Sequence, residues 1–596
     1  MPPGPAGIPP QLLQAKSLME QSKLLEAIDI LRRYVAQRPK EVPAYGPLCH
    51  ALLVTGSPDQ ALFYARQIKR LVPDMSELWA AEARALQYTS KRDDALPVLL
   101  QAMDRFPQST AIAEQLVDYY MHVNNYAAVD DVCARAENEG WISRTMASAH
   151  AGALHKLGDV KRAVEWARKQ QWHNPNDLDA AGILATTLLY DGEATPTQVA
   201  AAHRRVGMLY HDTYGHLMRT HLRGTDDPAR PLRIGVLSPD LRQHSVASFA
   251  LAMYEGLRLG GNTVTSYYTG FSGDALTKRF RDVSDAFHLC GEMDAVQLID
   301  RIAADRIDVL VELSGHTTNH RLYALALKPA PVLISAIGYP ATTGMRTIDF
   351  RLVDEVTDPP GCEELLSEKP LRIGAPFLCF SPPVDTPPVD PTPPSLREGA
   401  TGVTFAAFNA LHKLNDQTLA MWAQVLRQLP GSRLLVKAAA SKDHSTQRKA
   451  IERFIAAGMS ESQVEWLSHI PGQRAHLDTY NRCDISLDPW PYHGTTSTCE
   501  SMLMGVPTVT RVGEAHVSRV GLTLARTVGN QDLCVGSQDE FVRCAVALAR
   551  NSTRLKHERE TLRDRVLTSQ LCDRTGYAIR MSQAVRHAWE WHCSQE

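Results

Sequence analysis

The residues with the clearest chemical potential lie between Cys483 and Thr510, in the stretch Leu487-Asp-Pro-Trp-Pro-Tyr-His-Gly-Thr-Thr-Ser-Thr-Cys-Glu500 and its flanks. Gly494, Thr495 and Thr496 would let backbone amides and hydroxyls approach a diphosphate, and Glu500 offers a carboxylate able to bridge two vicinal ribose hydroxyls. Ile485 to Leu487 predicts a buried strand, Pro489 to Thr496 a loop, Ser497 to Gly505 a helix, and Thr508 to Thr510 a second strand. Such a unit of a parallel sheet aims the unpaired N–H groups of its helix at whatever lies beyond the strand ends. The competing interpretation makes Ser497-x-x-Glu500 only a capping box.

Two more groups fall on loops of the same kind. Lys413 closes the loop Asn409-Ala-Leu-His-Lys413 after a predicted strand, Val403 to Phe408; beside a diphosphate its ammonium would stabilise a departing phosphate, whereas alone it would be a solvated surface lysine. His244 lies on the loop after the strand Arg233 to Ser238, where open α/β sheets place ligands. With an unperturbed pKa near neutrality it could take a proton from an attacking hydroxyl or hydrogen-bond a substrate. The loops 314–320 and 338–344 fall at the same edge and make His316, Tyr339, Pro340 and Thr343 candidates to line a cleft. Neither loop matches G-x-G-x-x-G or a Walker sequence, so nicotinamide cofactors and ATP hydrolysis have no support.

The elements that must carry these residues form two alternating strand and helix series. The first continues through Thr263 to Tyr268, Met293 to Ala304, Val309 to Leu313 and Val332 to Ile337. A proline-rich spacer, Ser381 to Ser395, can be neither helix nor central strand. The second series runs on through Asp416 to Leu429, Arg433 to Lys437, Lys449 to Ala457 and Val464 to Leu467, with later helices at Asp539 to Arg550 and His557 to Val566. A final helix, Tyr577 to Trp591, is long enough to cross back onto the first series.

Ahead of both, Leu12 to Gly207 carries a helical pattern of fixed period. Pro39, Pro73, Pro107 and Pro175 fall at multiples of 34 residues, and Ala27, Ala61, Ala95 and Ala163 precede them at one constant distance. Gly56, Asn124 and Gly158 sit in register as turn formers. This is the pattern of a tetratricopeptide repeat, small Ala where helices touch and Pro opening the next unit, over about five units, one of them degenerate with Trp141 in place of Pro. Such arrays bind peptide segments of other proteins or mediate self-association, so a protein or peptide acceptor in the groove is expected and a homo-oligomer is compatible with the array.

Composition narrows the class. The 63 Lys and Arg against 66 Asp and Glu leave no basic excess pointing to nucleic acid as a partner. The 11 cysteines form no C-x-x-C pair, which argues against a disulfide framework and a zinc knuckle and for a reduced cytoplasmic setting. No apolar run approaches the length of a membrane span, and the opening Met-Pro-Pro-Gly lacks a basic n-region and apolar core.

Taken together, Gly338-Tyr-Pro-Ala-Thr-Thr-Gly344, Phe408-Asn-Ala-Leu-His-Lys413 and Leu487 to Pro507, behind a 34-residue period, resemble the O-linked N-acetylglucosamine transferases and look closest to compact bacterial members. The resemblance covers nearly the whole chain and implies a GT-B core. It implies inverting transfer of N-acetylglucosamine from UDP-GlcNAc to Ser or Thr hydroxyls, with the UDP-sugar as substrate, no cofactor and no metal. By the same resemblance His244 is the active-site histidine and Lys413 the diphosphate lysine. Thr495, Thr496 and Ser497 form the phosphate-binding turn, Glu500 is the ribose carboxylate, His476 a nucleotide contact, and Pro471 to Gln473 meet the uracil. Tyr339, Pro340, Thr343, Asn409 and Ala410 complete the expected donor site. Animal members have His-Thr-Thr and Asp where this chain has Thr495-Thr-Ser and Glu500, Gln at Ala410 and Lys at Gln473, so at least two nucleotide contacts are made differently or lost.

The fold expected is α plus α/β: a tetratricopeptide-repeat superhelix and connecting helices over 1–224, a Rossmann-like lobe over 225–380, a linker over 381–400, and a nucleotide-sugar-binding Rossmann-like lobe over 401–596. The alternatives are a different UDP-sugar-dependent transferase or epimerase on the same core, and a repeat scaffold whose core is inactive.

Overall fold

The computed structural model describes residues 9–221, 227–438, 443–467 and 470–595. The chain divides into two compact units, Met1–Ala153 and Leu154–Glu596. The first is helical, with antiparallel pairs such as Leu24–Gln37 against Tyr45–Val54 and Pro58–Leu71 against Ser76–Gln87. Ala27, Ala61 and Ala95 have no exposed surface, as their place at helix crossings requires. Gly56 and Asn124 take the left-handed conformation, with φ of 73° and 61°, that ends one helix and turns into the next. Glu82, buried, ties two helices by pairing with Arg66 and Lys69.

The second unit opens with the helices Val160–His173, Leu178–Leu188 and Pro196–Tyr214, which continue the repeat period; Ala163 is again buried and Gly158 again has positive φ, 78°. By compactness these helices fall in the same unit as the sheets. Two parallel sheets follow. The first has β1 (Arg233–Ser238), β2 (Thr263–Tyr268), β3 (Ala286–Leu289), β4 (Val309–Glu312), β5 (Val332–Ser335), β6 (Phe350–Val353) and β7 (Lys369–Arg372), in the order β3-β2-β1-β4-β5-β6-β7. The second has β8 (Thr404–Ala407), β9 (Arg433–Val436), β10 (Val464–Trp466), β11 (Ile485–Leu487), β12 (Thr508–Arg511) and β13 (Cys534–Val535), in the order β10-β9-β8-β11-β12-β13. The expected strands fall where the apolar runs put them. Strands β3, β7 and β13, absent from the sequence reading, are short or partly polar edge elements; β6, also absent from it, is a short interior strand with Arg351 among its four buried residues.

In each sheet the order reverses direction once, between β1 and β4 and between β8 and β11. Those reversals open a crevice at the carboxyl ends of the strands, where such sheets bind ligands. The last helix, Arg574–Cys593, lies on the first lobe's helix Ala247–Arg258; a Cβ on Gly256 would stand 2.6 Å from the Ala578 carbonyl. The carboxyl-terminal end thus ties the second lobe back to the first, as expected. The spacer carries no helix or strand beyond the short turn Pro394–Leu396 and docks on the second lobe, with Ser395 Oγ donating to Asp484 at 2.8 Å. No helix among the described residues is long and apolar enough to cross a membrane.

The loop 338–344 is held from outside by the helix Pro196–Tyr214, which starts in a capping box between Thr195 and Gln198. Backbone meets backbone there: a Cβ on Gly207 would lie 1.9 Å from the Gly344 carbonyl, and one on Gly344 1.9 Å from that of His203. Gly344 also has φ of 78°, a conformation that favours glycine. Gly344→Ala therefore meets both strain and overlap. We expect it to destabilise this unit by about 2 kcal/mol or more, seen as a lowered thermal midpoint by circular dichroism.

Candidate active site

The β8–β11 crevice is built by three loops. After β8 the chain passes Asn409 and Ala410 into a short turn of 3-10 helix, Leu411–Lys413. After β11 it passes Asp488 and the Pro-broken loop to the helix Thr496–Leu503. The Lys413 ammonium donates to the His493 carbonyl at 2.7 Å and sits 4.2 Å from the centroid of the Tyr492 ring. That places the cation one residue before Gly494 and the Thr495-Thr496 turn, and the sequence-predicted convergence of Lys413 with the helix start is realised. Ser497 Oγ donates to Asn409 Oδ1 at 3.3 Å, closing the two loops on each other.

Several residues that the sequence reading passed over make this turn. Asp488, buried at the end of β11, accepts the Gly494 amide at 2.7 Å and the Thr510 hydroxyl at 2.9 Å. A Cβ on Gly494 would lie 2.5 Å from Ser497 Oγ and 2.6 Å from Thr498 Oγ1, so a side chain there would displace the hydroxyls of the turn. His493 is a buried neutral imidazole: Nε2–H donates to the Arg511 carbonyl at 2.8 Å, Nδ1 accepts the Gly521 amide at 3.1 Å, and burial lowers its pKa. Asn415 and Thr418 both donate to the Trp490 carbonyl at 2.8 Å, pinning the loop to the segment after β8. The legible signal was Asp488 itself, an acid at a strand's carboxyl end inside the quoted stretch.

Burial pulls the Lys413 ammonium down to about 8, with Asp488 opposing the fall. A lysine so placed is a cation held close to losing its proton, which an incoming dianion would restore.

Glu500 is not the partner in a capping box. The helix N-cap is Thr495, with no side-chain cap hydrogen bond, and Glu500 is buried and accepts from His476 Nε2 at 2.9 Å. His476 in turn meets the Lys437 ammonium through Nδ1. Pro471 and Gln473 are exposed at the start of the helix Gln473–Asp478, which carries His476.

In the first lobe, His244 follows β1 at that sheet's own reversal. Its Nδ1 lies 3.7 Å from Asp240 Oδ1, and its pKa is lowered by burial, with Asp240 resisting. It is therefore neutral near pH 7 and able to accept a proton. The remaining first-lobe candidates are committed elsewhere. Tyr339 is buried and donates its hydroxyl to His203 Nε2 at 2.7 Å, His203 Nδ1–H being given to the Val199 carbonyl. Thr343 is fully buried and its amide and hydroxyl are both taken by Glu368, while His316 Nε2 donates to the Thr343 carbonyl. Through these bonds Tyr339 and Thr343 shape the loop from within. Pro340 lines a separate apolar cavity of about 530 Å³, walled by Leu188, Leu366, Trp490 and Val517, which does not include the phosphate turn.

The lobes are joined beside the site. Tyr339 packs with Val517 and Tyr492 of the second lobe. Thr523 donates to Asp354 at 2.8 Å, Arg519 to the Val356 carbonyl at 2.7 Å, and His516 pairs with Asp358.

Helical repeats followed by two parallel sheets, each with one reversal of strand order, define a repeat-bearing GT-B fold. The sequence profile of glycosyl transferase family 41 matches residues 192–378 and 395–581, and that of a tetratricopeptide repeat matches 64–205. The chain belongs to glycosyl transferase family 41. It is 35% identical over 427 residues to the Arabidopsis thaliana protein named probable UDP-N-acetylglucosamine--peptide N-acetylglucosaminyltransferase SPINDLY, covering 71% of this chain and 46% of that one. To the Caenorhabditis elegans UDP-N-acetylglucosamine--peptide N-acetylglucosaminyltransferase it is 21% identical over 477 residues, covering 60% and 41%. The chain spans about half the length of the curated relatives it matches. A solved Thermobaculum terrenum O-GlcNAc transferase superposes with a TM-score of 0.74 at 27% identity, over 91% of this chain and 96% of that one.

The position of Lys413 gives it a reactivity of its own. Its rate of acylation by an amine-directed reagent should reach half-maximum near pH 8, well below the range near 10.4 of exposed lysines, as read by peptide mass spectrometry over a pH series.

Proposed function

We propose that the protein is an inverting glycosyltransferase that moves N-acetylglucosamine from UDP-GlcNAc to Ser or Thr hydroxyls of proteins or peptides. The observation that carries this reading is the Lys413 ammonium on the His493 carbonyl, at the start of the helix that opens with Thr495 and Thr496. A diphosphate in the β8–β11 crevice would meet that cation, the turn's amides and two hydroxyls together. Family membership and the names of the relatives support the donor and acceptor classes.

In the mechanism, the acceptor oxygen attacks the anomeric carbon from the face opposite UDP, and the C1–O bond to the β-phosphate breaks with inversion. Negative charge grows on the leaving oxygen, where Lys413, Thr495, Thr496 and the helix amides are already oriented, so little reorganisation is needed. The acceptor proton passes to a base: His244, neutral on its loop, or a phosphate oxygen of the donor. Glu500 takes the ribose hydroxyls, and Asn409, Ala410, Pro471, Gln473 and His476 surround the nucleoside. No cofactor is required in this scheme; the charge that a cation neutralises in other transferases falls to Lys413 and the helix start.

The test begins with calorimetric titration of UDP, followed by incubation of a panel of uridine- and guanosine-diphosphate sugars with hydroxyl-bearing peptides. The expected result is UDP binding and addition of one N-acetylhexosamine to Ser or Thr. Turnover of another nucleotide sugar while UDP-GlcNAc stays idle overturns the donor assignment, and absence of nucleotide binding restores the scaffold alternative. Lys413→Ala should lower kcat roughly 100-fold or more, and His244→Ala should lower it by about 100-fold if the imidazole accepts the proton.

The pH dependence follows from the lowered lysine. The charged form is present below about pH 8 and lost above it, so UDP affinity should be highest near neutrality. It should weaken as pH rises through 8, by at most about tenfold per pH unit for a single linked proton; Lys413→Arg should flatten that slope.

A further inference from the structure

A cation stands beside the carboxylate that the proposed function assigns to the ribose, delivered from the strand next to β8. Lys437 directly follows β9, whose neighbour in the sheet is β8, so the ends of three adjacent strands deliver Lys437, Lys413 and the Thr495 turn to one edge. The Lys437 ammonium meets His476 Nδ1, and His476 Nε2 lies 2.9 Å from Glu500 Oε2. An ammonium can only donate, so Nδ1 is the acceptor and the ring's proton is on Nε2, given to the carboxylate. The ring is steadied by Tyr480 and Phe408, at centroid distances of 5.8 and 6.4 Å.

We propose that Lys437 is a positioning residue of the donor site: by fixing the His476 tautomer it orients Glu500 toward the ribose and supplies the positive charge at the nucleoside end. This rests on the reading of the crevice as a nucleotide site. A lysine serving only to balance Glu500 would be expected directly on the carboxylate; here it reaches the acid through an imidazole, and the relay leaves the carboxylate's second oxygen to be directed by the geometry of the first. Lys437 is part-buried, with burial lowering its pKa and Glu500 raising it.

Its partner is the nucleoside half of the donor, whereas Lys413 belongs to the diphosphate. That division can be measured on the full chain by titrating UDP and UMP into wild type, Lys437→Met, Lys437→Arg and Lys413→Ala, after thermal melts confirm folding. Lys437→Met should weaken UDP and UMP by the same factor, about tenfold or more, and raise donor KM while kcat stays within about threefold. Lys437→Arg should recover most of the loss, and Lys413→Ala should weaken UDP far more than UMP. Unchanged affinity for both nucleotides in Lys437→Met, in a chain whose wild type binds them, overturns this inference alone. A wild type that binds neither overturns the reading of the crevice and this inference with it.

Discussion

A lysine ammonium half out of water beside a backbone carbonyl is the constraint around which the second lobe is arranged. Lys413 cannot be left in that position without compensation, because desolvation disfavours its charge and a single carbonyl dipole repays only part of the cost. Compensation comes from the His493 carbonyl, the Tyr492 ring face and the more distant Asp488. The carbonyl can be offered only because the loop after β11 doubles back on itself. Asp488 makes that return by holding the Gly494 amide, and Gly494 makes it by having no side chain. The same return leaves Thr495 and Thr496 at the head of a helix whose first amides have no partners within the helix. One turn therefore holds the cation and, in the proposed function, would complete the anion site.

The parallel sheets explain why these groups are neighbours. Lys413 and Gly494 are distant in sequence, but β8 and β11 are adjacent strands and their carboxyl ends are a few ångströms apart. The first lobe repeats the device with β1 and β4, which brings His244 to a corresponding edge. The clamps Thr523 to Asp354, Arg519 to the Val356 carbonyl and His516 to Asp358 join the lobes through buried, directional bonds, which fix their approach more tightly than apolar contact alone. The glycine contact of Gly207 with Gly344 does the same for the loop 338–344 from outside. In that loop the hydroxyl residues are spent on Glu368 and His203, so its sequence records a packing requirement.

Legibility in the sequence followed the physics of each signal. Apolar runs with turn formers between them marked β1, β2, β8 and β11 because buried parallel strands must be apolar on both faces. The 34-residue period was readable because the repeats meet through one small residue, and Ala27, Ala61, Ala95 and Ala163 are all fully buried. Short edge strands such as β7, Lys369–Arg372, carry charge and left no such trace. At the site, Lys413 and Thr495 were legible because their residue types match a diphosphate. Sequence could not show the internal partners of Tyr339 and Thr343, because a hydroxyl on a loop reads the same whether it faces a ligand or a buried histidine or glutamate. Lys437 was silent, since a lysine after a strand is ordinarily solvated, and its meaning depends on His476, which sequence places on an unrelated helix.

The two halves of the crevice are built to different degrees, and this bears on what each can contribute. The phosphate half is preassembled: Asp488, Gly494, Asn415 and Thr418 fix it with bonds that owe nothing to a ligand. Groups held in that way stabilise charge as it develops and raise the rate of the chemical step. The base half is an exposed rim, Pro471 and Gln473, behind a relay of Lys437, His476 and Glu500. In the proposed function, interactions made there would be present in the bound ground state as fully as in the transition state and would set affinity and choice of nucleotide.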